Sequence, residues 1–261
     1  MLQEIFVSPE GSNKWSGKRP EPNADRTDGP FATVERARDM IREYKERNLL
    51  GNSVTVWLRG GRYPVHRPIR FTPADSGPCT YQAFPGETPV LDGGVPLTDW
   101  QVTRHNGIEA WVCDVSRIIK AWDYPKSLYI NGKRAPRPIL PRKGFHKIAD
   151  VPEQYVEHSD PADIFTRTDR FVYEEGDIRE FHNLGDVDVL IVKNWDVDRY
   201  PIEWVDPEHR LVKSTRSSPL GLEPGQEYVI ENVYEALTEP GEWYLDRQSR
   251  LLTYLPREDE R

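Results

Sequence analysis

Apolar positions along this chain keep two different rhythms, and the change comes just after residue 51. Val34, Ala37, Ile41 and Tyr44 recur at helical spacing, while Arg36, Arg42, Glu43, Lys45 and Glu46 populate the opposite face. Thr33 can cap the first turn and Glu35 can face the positive end of the helix dipole. The pattern therefore predicts one amphipathic helix of roughly four turns, closed by Gly51. Ahead of it lie a short strand, Ile5-Phe6-Val7, and a polar Gly/Pro/Asn/Asp loop reaching residue 30.

After the helix the rhythm shortens. Val54–Leu58, Ile69–Phe71, Thr80–Phe84 and Pro89–Leu91 read as brief strands, with turns expected at Gly60-Gly61, Pro73–Gly77, Pro85–Glu87 and Asp92–Gly94. Strands of this length without intervening helices indicate a solenoid, a sandwich or a barrel. A solenoid has an open end that must be covered, and a single amphipathic helix ahead of the strands suits that role. From about residue 121 a second region begins. Ser127–Ile130 runs into Asn131-Gly132, a strong short hairpin signal because both residues tolerate positive φ. Strand signals return at Val187–Lys193, Val197 and Ile202–Val205. Two later hairpins share a device: Asp206 precedes a turn that Arg210 reopens, and Asp246 precedes one that Arg250 reopens. Each Asp is expected to accept turn amides and to pair with its Arg across the hairpin.

Composition narrows the class. Hydrophobic content is only 37%, yet 8 Trp, 12 Tyr and 8 Phe supply enough ring surface for a folded core. A formal net charge of −8 opposes nucleic acid as a partner. Nowhere do 18 apolar residues run together, so a membrane-spanning helix is not expected, and no signal peptide is visible at the N-terminus. A cytoplasmic protein, or a secreted one with its signal removed, fits equally. Cys79 and Cys113 each fall in an apparent strand, which favours buried free thiols over a disulfide.

In order along the chain, these segments resemble a known arrangement. Phe6–Ser12 and Gly29–Thr33 resemble the opening of right-handed parallel β-helix proteins that act on carbohydrates; Val56–Tyr63 resembles their first full coil, and Tyr81–Glu87 with Pro89–Gly94 the next. Leu128–Arg134, Glu231–Leu237 and Pro240–Asp246 resemble a β-rich domain inserted after those coils. The combination is similar to proteins grouped with glycoside hydrolase family 141, which act on plant-type polysaccharides, and less closely to a xylosidase family with an interrupted β-helix. The resemblance implies a mainly β fold: a helix-capped start of a right-handed parallel β-helix over residues 1–120, an antiparallel inserted domain over 121–256, and a charged tail over 257–261. It also implies a polysaccharide or oligosaccharide partner. The family's acidic catalytic pair lies in later coils, so it transfers to no residue of this sequence. The expectation is a front portion that helps frame a glycan cleft, with an open last coil prone to self-association.

Read for chemistry on their own, the residues offer few sharp signals. A glycosidase needs two carboxyl groups suitably spaced, one often with a raised pKa. Glu87, Asp92 and Asp114 are the obvious carboxylates beside turns and strands, and turn roles suit them better. The six histidines and two cysteines lack metal-type spacing, no Gly-x-Ser-x-Gly elbow is present, and Gly60-Gly61 and Gly93-Gly94 lack the context of phosphate loops. No catalytic residue, metal or cofactor is assigned. The local anomaly is basic: Lys133, Arg134, Arg137, Arg142, Lys143 and Lys147 cluster within 131–147 of an acidic chain. Arg134 and Arg137, with Tyr129 nearby, are the candidate sugar contacts, since an Arg fork fits a carboxylate. The competing reading is a solvated loop paired with neighbouring acids. Trp100, Trp111, Trp122, Trp195, Trp204 and Trp243 are eligible stacking platforms by type, most of them expected in the core. A stand-alone binding module and a complete small hydrolase remain the rival functions.

Overall fold

The structure is a computed structural model; it describes residues 2–119, 124–158 and 166–261. Contacts divide the chain into one unit spanning residues 1–96 and a second spanning 97–261.

The first unit is built from parallel pairs. Strand β1 (Leu2–Val7) pairs parallel with β2 (Leu50–Leu58), and β2 pairs parallel with β4 (Cys79–Ala83). Strand β3 (Gly61–Pro64) pairs parallel with β5 (Pro89–Asp92) in a separate two-stranded sheet. Parallel neighbours need crossover connections, and the first crossover carries helix α1 (Val34–Glu46). Thr33 caps that helix, accepting a hydrogen bond from the Arg36 amide at 3.2 Å. Val34, Ala37, Met40 and Ile41 are buried against Ile5, Val7, Val54 and Val56. Strands β4 and β5 are the outer strands of their sheets. Phe71 and the β5 residues Val90 and Leu91 are exposed, and an apolar groove of about 390 Å³ opens between Leu58, Ile69, Phe71, Tyr81 and Leu91.

Three sequence expectations need correction in this unit. Ile69–Phe71 is not a strand; Pro68 and Pro73 bracket it, and Ile69 and Phe71 line the groove instead of joining a ladder. The helix stops at Glu46, before a left-handed Asn48 with φ 53°, and Gly51 already belongs to β2. Gly61 opens β3 at φ 118°, with Arg59 and Gly60 between the strands.

The second unit is antiparallel throughout. In chain order its strands are β6 (Gln101–His105), β7 (Ile108–Asp114), β8 (Leu128–Ile130), β9 (Lys133–Ala135), β10 (Ile139–Leu140), β11 (His146–Asp150), β12 (Glu157–His158) and β13 (Thr166–Tyr173). There follow β14 (Asp188–Val192), β15 (Val197–Asp206), β16 (Leu211–Ser218), β17 (Glu227–Glu231), β18 (Trp243–Asp246) and β19 (Leu251–Tyr254). Strands β17, β11, β13, β16, β15 and β14 pair in that order, and β14 pairs back to β17, closing a six-stranded barrel. Side chains alternate across its wall. Phe171, Val189, Ile191, Ile202, Val212, Tyr228 and Ile230 fill the interior. By the same alternation Asp188, Arg199 and Glu231 lie on the outside.

A four-stranded sheet, ordered β18-β19-β7-β6, stands beside the barrel within this unit. Trp243 is fully buried there, and its indole donates to the Ala135 carbonyl at 3.1 Å. The stretch Gln101–Asp114, which the sequence grouped with the first coils, therefore pairs with the C-terminal hairpin; the expected boundary at 120/121 falls outside the described residues. Arg257 and Glu260 close the chain's last turn with an ion pair of 2.8 Å. Asn131 and Gly132, at φ 50° and 77°, form the expected tight turn between β8 and β9. Asp206 and Asp246 accept turn amides as expected. The expected pairing with Arg does not occur. Asp206 bonds His209 instead, while Arg210 and Arg250 occupy left-handed turn positions, φ 52° and 61°. Cys79 and Cys113 are free thiols.

Candidate functional site

The outward positions of three barrel strands meet the segment leading from β9 into β10. Ile139 pairs with Glu231, and Asp188 pairs with the same Glu231, so the carboxylates of Asp188 and Glu231 come together on the outer wall. Arg137, two residues before β10, is laid across them and is only 7% exposed. Its Nη1 donates to Asp188 Oδ2 and to Glu231 Oε2, each at 3.0 Å, and its Nε donates to Asn232 Oδ1 at 3.3 Å. The guanidinium also lies 5.7 Å from the centre of the Trp243 ring. Arg199 reaches over from β15 to Glu231 and stands 3.7 Å from Asp188. Behind them Arg247 contacts Asp188 at 3.3 Å. Burial pulls the Arg137 guanidinium below its ordinary value while Asp188 and Glu231 pull the other way.

This arrangement is the floor of a cavity of about 390 Å³. Arg134 and Lys126 complete its charged lining, and Ala135, Pro136 and Ile139 supply its apolar part. The charged groups facing the space are thus Lys126, Arg134, Arg137 and Arg199 against Glu231. Counting Asp188 beneath Arg137, two positive charges remain in excess, on a chain whose net charge is −8. Among the described residues neither Lys126 nor Arg134 has an ion-pair partner, and Arg137 Nη2 makes no hydrogen bond.

The candidates named from sequence part ways here. Arg137 is a buried element of an ionic network, whereas Arg134 is an exposed cation at the cavity. Tyr129 does not line the cavity. It is the cross-strand partner of Arg134 in the β8–β9 hairpin, which sets both side chains on one face, and it is 62% exposed. Elsewhere in the basic stretch, Lys133 pairs with Asp259 at 3.8 Å and Arg142 pairs with Glu242, as the competing reading expected. Lys126, Asp188, Arg199 and Glu231 were missed. The available signal was strand alternation, which turns Arg199 and Asp188 away from the inward-facing Ile202 and Val189.

The acids offered as catalytic candidates are occupied by structure. Glu87 accepts from Arg59 at 2.9 Å and from the Gly60 amide, and both hold its carboxyl below the usual range. Asp92 is lowered by the Gly94 amide and Arg62, and Asp114 by Ser116. Asp186 is raised by burial, but it accepts hydrogen bonds from the Tyr244 hydroxyl and the Arg247 amide, each at 3.0 Å. Among the eligible tryptophans, Trp243 is core and Trp100, Trp111 and Trp204 are half-buried; Trp122 lies outside the described residues. Trp195 is the exception, 89% exposed at the tip between β14 and β15. Val197 and Arg199 follow it on the outward face of β15.

No family model and no curated protein matches this sequence. A solved structure described as "Glycoside hydrolase" superposes on the whole of this chain with a TM-score of 0.76 and 23% identity. This chain spans 44% of the length of that one. This chain thus shares the fold of that stretch of the neighbour, and it is mainly β. Another, "The complex structure of XylC with xylose", aligns over 98% of this chain and 32% of its own at a TM-score of 0.29 and 12% identity, too loose an overlap to bear on the fold.

Proposed function

We propose that this chain is the helix-capped opening of a right-handed parallel β-helix, carrying an inserted β-barrel domain, in a polysaccharide-acting protein of the kind grouped with glycoside hydrolase family 141. Its role in that setting is to frame a glycan-binding surface, not to cut the glycan. The parallel registers β1-β2-β4 and β3-β5 support the first half of this reading. The observation that carries the second half is the open cavity assembled from the β8–β9 hairpin, the arm before β10 and the outer barrel wall, with Tyr129 and Arg134 at its side. Trp195 adds a flat apolar face of the kind on which a pyranose ring stacks. The carboxylates Glu87, Asp92 and Asp114 all have lowered pKa values, the reverse of what a general acid needs.

A panel of plant-type polysaccharides and chromogenic glycosides tests the reading with the chain as it stands. The expected result is glycan binding without turnover, weakened about tenfold by Trp195→Ala or Tyr129→Ala, the scale of one lost aromatic contact. Turnover of any glycoside would overturn the non-catalytic role, and absence of binding across the panel would overturn the glycan surface.

A further inference from the structure

We infer that the cavity beside the barrel is a subsite for the carboxylate of an acidic sugar, a uronic acid residue within a glycan chain. The inference rests on the glycan reading above and names the class of sugar. Its basis is the charge distribution. Lys126, Arg134, Arg137 and Arg199 converge on one cavity of about 390 Å³, and of the facing groups only Glu231 is acidic. Arg137 and Arg199 are held by Glu231 and Asp188. Arg134 and Lys126 have no ion-pair partner among the described residues, although the chain carries 43 Asp and Glu against 35 Lys and Arg. Like charges gathered around a partly desolvated space repel one another, and an anion seated among them removes that cost. A structural network alone would not require the two outer cations.

Charge number and shape both favour a carboxylate. An excess of about two positive charges suits one or two monovalent anions, while the acidic remainder of the chain disfavours a dense polyphosphate. The Arg134 guanidinium offers a planar fork matched to two carboxylate oxygens, and Lys126 supplies a point charge beside it. Ala135, Pro136 and Ile139 give the cavity an apolar side for the ring carbons, and the exposed Tyr129 ring stands on the same hairpin face as Arg134. Arg137 sits too deep to act as a mobile clamp. It sets the positive floor and holds the wall together.

Calorimetry with uronic acid oligosaccharides, and with the same oligosaccharides after reduction of their carboxyl groups to alcohols, tests the assignment. The acidic form should bind, the reduced form should lose about tenfold or more, and Lys126→Gln with Arg134→Gln should remove the difference between them. Both substitutions fall on side chains free of the ionic network, so circular dichroism and melting should match the parent chain. Equal binding of the acidic and reduced forms would overturn the carboxylate subsite while leaving the glycan surface intact. Tighter binding of sulfated or phosphorylated counterparts would overturn the choice of carboxylate. Failure of every glycan, acidic and neutral, would overturn both readings.

Discussion

Removing the guanidinium of Arg137 would leave Asp188 and Glu231 on the outer barrel wall short of a buried partner. Breaking one side of such a network costs about 3–5 kcal/mol. Arg137→Met is expected near the lower end, because Arg199 and Arg247 still reach these acids. Denaturant unfolding checks this, and a loss below about 1 kcal/mol, the level of a surface ion pair, would refute the network role. Arg134→Gln, three residues earlier, should cost less than about 0.5 kcal/mol, as exposed substitutions do. The sequence could mark both arginines as basic residues in an acidic chain, but it could not separate their roles. The difference is made by Asp188 and Glu231, which lie 51 and 94 positions away from Arg137; the β10–β17 pairing brings Glu231 to it, and barrel closure brings Asp188.

Local elements were more legible. The helix over Val34–Glu46 follows from spacing and from Thr33, whose hydroxyl accepts the Arg36 amide. Thr33→Ala should destabilise the first unit by about 1 kcal/mol, with Thr33→Asn close to neutral, measured by thermal melting. Equal stability of the alanine variant would mean that the cap contributes nothing beyond its solvated alternative. The Asn131-Gly132 turn was readable because it needs two left-handed residues, and few residue types accept that. Ile69–Phe71 misled because apolar side chains between prolines look like a short strand when only burial is considered. A strand also requires a free ladder of amides. The Asp–Arg turns misled in another way: the sequence showed two opposite charges, while the backbone uses each Arg as a left-handed residue and Asp206 takes His209 as its partner.

At the scale of the molecule, alternation told which faces of the strands were apolar but not which strands would close the ring. The closing pair, β14 with β17, joins segments separated by two other strands in the chain. The first unit raises the opposite question, since among the described residues β4 and β5 each have an unpaired edge, and Phe71 and the β5 residues Val90 and Leu91 are exposed. Such edges are templates for another chain. For the chain on its own the proposal predicts self-association through this end, so the weight-average mass in sedimentation should rise with concentration. Leu91→Lys should hold the protein monomeric by placing a charge at the groove. A parent chain that stays monomeric at high concentration would sink the proposal.

The four-stranded sheet has a mechanical consequence. Gln101 and Thr253 both face Val112, one from either side, so a strand that precedes the barrel in the chain and one that follows it pass within roughly 10 Å of each other. A pull applied at those two points would load the ladders on either side of β7 first. The ring, tethered behind this clasp, would bear no tension until the clasp had opened.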